Sequence, residues 1–333
     1  MRRRVTIEDV ARAAGVSRQT VSRAINNKEE ISPDTMKRVM EAVQRLGFRP
    51  SRVAQGLATQ RTYTIGVVVP DITNPFFPEI ARGMQDVARS KEYNVFLCNT
   101  DESPEQELQV LYSLAAQPVD GIALFGSRIS DEELAAFAEE YQPLVVFNRW
   151  LESSGVSLVL VDNHKGAELA VAHLVDRGHR NIGMLAGPVA SPSSVQRIEG
   201  FRQAMGAHGL PVAEDHIVPG PPTVEGGYDA ARELLTQHPE TMAVFAYNDL
   251  MALGTAQLCA DQGCPVPGGC AVIGFDDIRL SSMVSPSLTT IYVDKYEVGR
   301  QSMTRLLAMF EDTVSSFPPI EIDVDLVVRE SAP

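Results

Sequence analysis

Apolar residues recur at helical spacing over the first fifty positions and in strand-length runs after about position 62, so the chain changes character once. Ile7, Val10 and Ala11 follow a Thr6–Asp9 pair spaced as a capping box, and Gly15 ends that helix in the residue best suited to a left-handed stop. Ser17 caps a second helix starting at Arg18, with Val21, Ala24 and Ile25 on its inner face. Two such helices are too short to be stable alone. A third supplies the missing core: Ser32 as cap, Pro33 at its first position, then Met36, Val39, Met40, Val43 and Leu46 before Gly47.

From Thr62 the pattern becomes apolar strand runs alternating with helical segments. TIGVVVP, YNVFLC, VDGIALFG, PLVVFN and VSLVLVD form one series, and NIGMLAG, AVFAYN and CAVIGFD a second. Near-continuous apolar strands alternating with helices predict parallel sheets covered on both faces, and two series predict two similar lobes. Between the two patterns, residues 48–60 form a segment too short for a stable isolated helix, weakened further by Gly56.

Charge sharpens the division. The chain carries net charge -14, yet its first 60 residues hold 12 Lys and Arg against 6 Asp and Glu. A basic module on an acidic body points to a small element that meets a polyanion. The three-helix pattern is that of a helix-turn-helix, in which the second helix enters the major groove of DNA. Arg18, Gln19 and Arg23 are its outward side chains; arginine pairs with guanine and glutamine with adenine. Thr6, Ser17, Thr20, Ser22, Asn26 and Lys28 are placed for phosphates or caps.

A composition of 44% hydrophobic and 22% charged residues argues against wholesale disorder. No apolar run approaches bilayer-spanning length, and MRRRVTIEDV lacks the apolar core of a secretory signal, so a soluble, intracellular protein is expected. Cys98, Cys259, Cys264 and Cys270 are expected as reduced thiols, and the six histidines, scattered along the chain, as surface or helix-end residues. No metal set, cofactor loop or nucleophile motif is present: GxGxxG, GxxxxGK[ST], HExxH and GxSxG are all missing. The reading is not an enzyme, and no cofactor. A transport binding protein would lack the basic headpiece.

In open α/β sheets ligands bind beyond the carboxyl ends of strands. There lie Asn74, Phe76 and Phe77 after the first strand, Asn148, Arg149 and Trp150 after the fourth, and Asn248, Asp249, Asp276 and Asp277 in the second series, with Arg197 in the helix after NIGMLAG. Polar groups beside aromatic faces suit a small polyhydroxylated or heterocyclic molecule.

VTIEDVARAAGVSRQTVSRAINN, continued by the third helix and RVAQGLA, resembles the headpiece of the lac repressor family of bacterial transcription regulators. DITNPFFPEI, HLVDRGHRNIGMLAGP, FAYNDLMALG and VIGFDDIRLSS with SPSLTTI resemble that family's effector domain and the related periplasmic ribose-binding proteins. The resemblance implies an all-α helix-turn-helix domain joined to an α/β effector domain of two doubly wound parallel-sheet lobes, of periplasmic binding protein type. It implies a headpiece at 1–47 and a hinge helix at 48–60, with Arg52, Gln55 and Leu57 on DNA and Leu57 wedged into the minor groove. It implies an effector and dimerisation domain at 61–333, its first lobe about 62–161 and 293–318, its second about 162–292 and 319–330. Asn74, Phe76, Phe77, Arg197, Asn248 and Asp276 fall on family ligand positions. Asn148, Pro222 and Val293 depart from the aspartate, aromatic and polar residues common there. The implied partners are double-stranded DNA bearing a pseudo-palindromic operator, a small effector (sugar, sugar derivative, nucleoside or purine) and a second copy of the chain. A cytoplasmic, nucleoid-associated repressor is expected; the alternative is an intracellular binding protein or activator answering to a protein partner. No heptad tail supports a tetramer.

Overall fold

The computed structural model describes residues 5–25, 31–48, 61–117, 119–151, 153, 155–310 and 317–333. Asn26, Arg52, Gln55 and Leu57, and with them the hinge-helix reading, lie outside the described residues. The chain divides into two compact units, Met1–Thr62 and Tyr63–Pro333.

In the first unit three helices, α1 (Ile7–Ala14), α2 (Arg18–Ile25) and α3 (Pro33–Leu46), bury Val10, Ala11, Ala14, Val21, Ala24, Val39 and Ala42 together. Thr6 and Asp9 form the reciprocal cap, the Thr6 N–H donating to the Asp9 carboxylate at 2.9 Å. Gly15 and Gly47 end α1 and α3 with φ of 66° and 63°, the left-handed region that a Cβ disfavours. One core expectation is corrected: Met40 is 48% exposed and Ala42 takes the inner place. Ala42 stands three residues beyond Val39, on the same helix face, whereas Met40 is turned about 100° away from Val39.

The second unit holds two sheets. The first contains β1 (Thr64–Val69), β2 (Asn94–Asn99), β3 (Gly121–Leu124), β4 (Leu144–Phe147), β5 (Val156–Val161) and β11 (Ile320–Ile322) in the order β11-β5-β4-β3-β1-β2, every neighbour parallel. The second contains β6 (Ile182–Ala186), β7 (Ile217–Pro219), β8 (Ala243–Ala246), β9 (Ala271–Asp276), β10 (Thr289–Val293) and β12 (Val324–Val327) in the order β12-β10-β9-β8-β6-β7. All its pairs are parallel except β10 with β12, which run antiparallel. Helices α4 (Phe76–Ser90), α5 (Pro104–Ala116), α6 (Asp131–Glu140) and α11 (Lys295–Phe310) belong to the first lobe. Helices α7 (Asn163–Asp176), α8 (Pro192–Ala207), α9 (Val224–Gln237) and α10 (Asp249–Asp261) belong to the second. The central strands β1, β3, β4 and β9 are buried at every position, which is why they read as unbroken apolar runs.

The chain passes between lobes after β5, after β10 and at Asp323. Asp323 separates Ile322, paired with Val161 in the first sheet, from Val324, paired with Val293 in the second. This corrects the expected boundary at 318/319: IEIDVDLVV is two strands in two sheets. Val293 is likewise the last residue of a second-lobe strand, and the return to the first lobe starts after it.

In each lobe a pair of helices crosses glycine to backbone. A Cβ on Gly83 of α4 would lie 2.1 Å from the Tyr296 carbonyl oxygen, and one on Gly299 of α11 2.0 Å from that of Ile80. Gly227 of α9 and Gly254 of α10 repeat the arrangement in the second lobe. Gly299→Ala must push α4 and α11 apart, with an expected loss of about 2–3 kcal/mol read as the shift in urea midpoint. An unchanged midpoint would contradict the close crossing.

Candidate functional site: a helix-turn-helix face and an interlobe cleft

In the headpiece Ser17 caps α2, accepting from the Thr20 N–H at 3.1 Å while the two hydroxyls pair at 2.9 Å. Capping leaves the outer face of α2 to other residues: Arg18, Gln19 and Arg23 are exposed, Thr20 and Ser22 half-buried, Val21 and Ala24 buried. Thr6 is exposed at the start of α1. The outward arginine–glutamine pair at the N-terminus of the second helix is therefore presented on a folded surface, with the apolar residues holding it in place.

The second site is a cleft between the lobes. Asn74, Phe76, Phe77, Phe147, Asn148 and Arg149 line it from the first lobe, with Glu102, Gly126, Ser127 and Arg128. Arg197, Asn248, Asp276, Ser191, Pro192, Ser193, Pro222 and Tyr247 face them from the second. Eight of the nine effector positions expected from sequence are thus brought together, and Trp150 is not. Trp150 is 61% exposed and lies outside the lining. Its neighbour Arg149 is buried instead, its Nε and Nη2 donating to Asp131 Oδ1 at 2.8 and 2.6 Å and its Nη1 to the Ile129 carbonyl at 2.6 Å. Pro222 lines the cleft, while Val293 is 1% exposed within the apolar core and lines none of it.

Backbone strain gathers where the strands end. Asn148 (φ 53°) follows β4, Asp101 and Glu102 (51° and 57°) lie beyond β2, and Asp276 and Asp277 (109° and 49°) end β9. Such conformations cost of order 1–3 kcal/mol each and persist only where surrounding contacts enforce them. At Asn148 the contacts are explicit. Its Oδ1 accepts from the Val161 N–H at 2.6 Å, and its Nδ2 donates to Ser193 Oγ at 3.2 Å, a bond that crosses the cleft. Asn248 does double service: Oδ1 caps α10 by accepting from Met251 N–H at 2.9 Å, and Nδ2 donates to the Pro222 carbonyl at 3.1 Å. Asn74 turns its Oδ1 to the Phe76 N–H at 3.0 Å and fixes the start of α4, where Phe76 and Phe77 meet edge to face.

Arg197 is the centre of the second-lobe wall. Its guanidinium lies 3.5 Å from the Phe275 ring centroid, Nε donates to Asn163 Oδ1 at 2.9 Å, and Nη1 donates to the Tyr247 carbonyl. Its Nη2 stands 3.6 Å from Asp276 Oδ1, both side chains being buried. Lys295, 2% exposed at the second crossing, donates from Nζ to the carbonyls of Asp276, Asp277 and Val293 at 2.7, 2.9 and 3.1 Å. Burial pushes Asp276 up to about 6 despite the opposing charges of Arg197 and Lys295. Behind it Asp249 is pushed up to about 7, by burial first and then by the Asp276 charge, although Thr290, the Ile278 N–H and Ser281 all donate to it. In the first lobe burial also raises Glu107, which accepts from Arg128 N–H at 2.6 Å and braces the Ser127–Arg128 loop.

Glu102, Ser127, Arg128, Ser191, Ser193 and Tyr247 are cleft residues that the sequence reading does not single out. The signal exists for four of them: Glu102 follows β2, Ser127 and Arg128 follow β3, and Tyr247 follows β8, so the strand-end rule covers them as it covers Asn148. Arg128 is held by Glu102, Nε to Oε2 at 2.6 Å.

A helix-turn-helix with its polar face exposed, and a two-lobed binding fold with a polar cleft, together define a DNA-binding transcriptional regulator with an effector-binding domain. The profile described as bacterial regulatory proteins, lacI family, matches residues 6–51, and that of periplasmic binding proteins and sugar binding domain of LacI family matches residues 62–327. The chain belongs to the LacI family of bacterial regulatory proteins. It is 38% identical to catabolite control protein A of Priestia megaterium over 315 residues, covering 94% of this chain and 95% of that protein. Among solved structures it is similar to the transcriptional regulator CelR–cellobiose complex, with 32% identity, TM-score 0.74, and 98% and 100% of the two chains covered. It is similar also to the lac repressor dimer bound to operator and the anti-inducer ONPF, with 28% identity, TM-score 0.88 and 99% of each chain covered. The relatives are regulators, in agreement with the motif-based exclusion of enzyme activity. Among the described residues no helix is long and apolar enough to cross a membrane.

Proposed function

We propose that the chain works as a cytoplasmic homodimeric repressor whose operator affinity is set by a small molecule held in the interlobe cleft. In this reading α2 of each protomer enters the major groove of one half of a pseudo-palindromic operator. Arg18, Gln19 and Arg23 read base edges, and Thr6, Ser17, Thr20, Ser22 and Asn26 meet phosphates. Arg52, Gln55 and Leu57 contact DNA from the linker. The lac repressor relative, a dimer on its operator, supports this arrangement.

The observation that carries the proposal is the Asn148–Ser193 bond across a cleft with a free volume of about 40 Å³. Ligand pockets typically measure about 300–1,000 Å³, so a ligand enters only as the lobes separate. Binding therefore discriminates between lobe arrangements, the requirement for any effect on DNA. Hydroxyl-bearing sugars or sugar derivatives suit the guanidinium, amide and carboxylate groups with the flanking Phe76, Phe77 and Tyr247 rings. The cellobiose complex of a relative agrees with that class. Asn148 and Pro222, in place of an aspartate and an aromatic, argue against a simple pentose or hexose.

A thermal-shift panel of mono- and disaccharides, sugar phosphates, nucleosides and purines tests the ligand class. A ligand at about 100 times its dissociation constant adds roughly 2.7 kcal/mol of stability. A panel without a hit would favour the second reading, a body that answers to a protein partner. For the headpiece, Arg18→Ala and Gln19→Ala are expected to relax base preference, each base pair concerned losing about 1–3 kcal/mol of discrimination. Operator selection from random DNA checks this; unchanged site preferences would sink the assignment.

A further inference from the structure

Two of the six histidines, His216 and His238, meet in space. His216 ends the short turn Glu214–His216 before β7, and His238 follows the last turn of α9 before β8. Their rings lie face to face, centroids 3.9 Å apart and planes tilted by 31°. Asp215 occupies one edge of the pair: Oδ1 is 3.4 Å from His216 Nδ1 and Oδ2 is 3.3 Å from His238 Nε2. Glu240 occupies the opposite edge, its Oε1 3.5 Å from His238 Nδ1 and 4.0 Å from His216 Nε2.

The nitrogens facing Asp215 are what set this cluster apart from a surface ion pair. His216 Nδ1 and His238 Nε2 are buried and make no hydrogen bond among the described residues, although carboxylate oxygens stand close by. Buried ring nitrogens are nearly always partnered, so an orphaned pair asks for a partner. The spacing suggests which kind. Ligands bound tetrahedrally at about 2.0–2.1 Å are separated by about 3.3–3.4 Å, and the Asp215 carboxylate holds one oxygen at that distance from each ring, Oδ1 from His216 Nδ1 and Oδ2 from His238 Nε2. One donor atom from each of Asp215, His216 and His238 lies within 4.8 Å of the others.

We propose that Asp215, His216 and His238 form a binding site for one divalent d-block cation, Zn²⁺ in the first instance, with water completing the shell. Two imidazoles exclude Mg²⁺ and Ca²⁺, which take oxygen ligands. Glu240 is the outer carboxylate, meeting the remaining ring nitrogens and orienting both rings, as carboxylates behind metal-bound histidines do. Ligation requires the rings to splay from their 31° tilt, a motion open to residues on a turn and at a helix end. Asp215 is 60% exposed on its side chain and provides the entry path. The site lies at the amino ends of β7 and β8, whereas the effector cleft lies beyond the carboxyl ends of the same sheet. Metal would tie the turn before β7 to the end of α9 without entering the cleft.

The test uses the full chain, freed of metal by a chelator and titrated with ZnCl₂ at pH 7.5 in competition with a chromophoric chelator. Wild type is expected to hold about one equivalent per chain more than Asp215→Asn and more than the double variant H216N/H238N. Glu240→Gln is expected to weaken that equivalent about 10–100-fold. Asp215→Asn, on an exposed side chain, keeps the test valid should the double variant fail to fold. Cys259, Cys264 and Cys270 are the competing ligands, and Co²⁺ substitution separates them: nitrogen and oxygen ligation gives no thiolate charge-transfer band. Equal stoichiometry in wild type and Asp215→Asn, or a thiolate band with the first equivalent of Co²⁺, would overturn the proposal.

Discussion

Arg197→Met is expected to destabilise the effector domain by about 3–5 kcal/mol at pH 8 and to abolish cleft binding. Methionine keeps most of the volume against Phe275 and Tyr247 while removing the charge beside Asp276. The loss then comes chiefly from a buried carboxylate left without its nearest cation. Asp276 has an escape, because it already stands at about 6 with Arg197 present and rises further without it. At pH 5.5 it takes a proton and the penalty shrinks. Urea unfolding of wild type and variant at both pH values reads the difference. A loss equal at pH 5.5 and pH 8 would mean that Arg197 acts through its stacking and its hydrogen bonds to Asn163 and Tyr247, and not through its charge on Asp276.

Asp249→Asn is expected to do the reverse, stabilising the domain by up to about 4 kcal/mol above pH 7 and leaving it unchanged below pH 4. Asp249 has its folded value raised to about 7, above the ordinary 3.8. The native state therefore holds a proton that the unfolded chain releases, so this group's contribution falls as pH rises from about 4 to 7. Asparagine fits the same partners. Its oxygen can accept from Ile278 N–H and Ser281 Oγ, both of which donate to Oδ2, and its amide can donate to Thr290 Oγ1. The variant-minus-wild-type difference in unfolding free energy, followed across that window, isolates Asp249 from every other titrating group. A difference independent of pH would show that the carboxyl stays ionised and well compensated.

The headpiece is legible in the amino-acid sequence because it is local. Each of its caps and glycine stops lies within four residues of what it controls, so Thr6, Gly15, Ser32 and Gly47 announce their roles in the one-dimensional pattern. The buried strands announce themselves by unbroken apolar runs. What escapes the pattern is non-local. Nothing in IEIDVDLVV reveals that Asp323 divides it between two sheets, because the partners Val161 and Val293 are far away in sequence. Trp150 falls outside the lining although Arg149 beside it belongs to it, and the Asp131 that fixes Arg149 lies 18 residues earlier. The strand-end rule finds Asn148 and Asp276 yet carries no information on their positive-φ backbone or on partners remote in sequence, Ser193 for Asn148 and Lys295 for the Asp276 carbonyl. His216 and His238 are invisible as a pair, since only the parallel packing of β7 and β8 on β6 sets their elements side by side.

If the cleft governs the headpiece, operator affinity must follow cleft occupancy. The most direct test is to select an operator from random DNA with the full chain, then measure its affinity by fluorescence anisotropy with cellobiose, ribose, glucose 6-phosphate and each further thermal-shift hit. At least one compound is expected to change operator affinity by about 5–150-fold in wild type, equivalent to about 1–3 kcal/mol of coupling, and to leave Asn148→Ala unresponsive. A compound that binds in the cleft with full thermal stabilisation, yet leaves the operator dissociation constant unchanged, would contradict it.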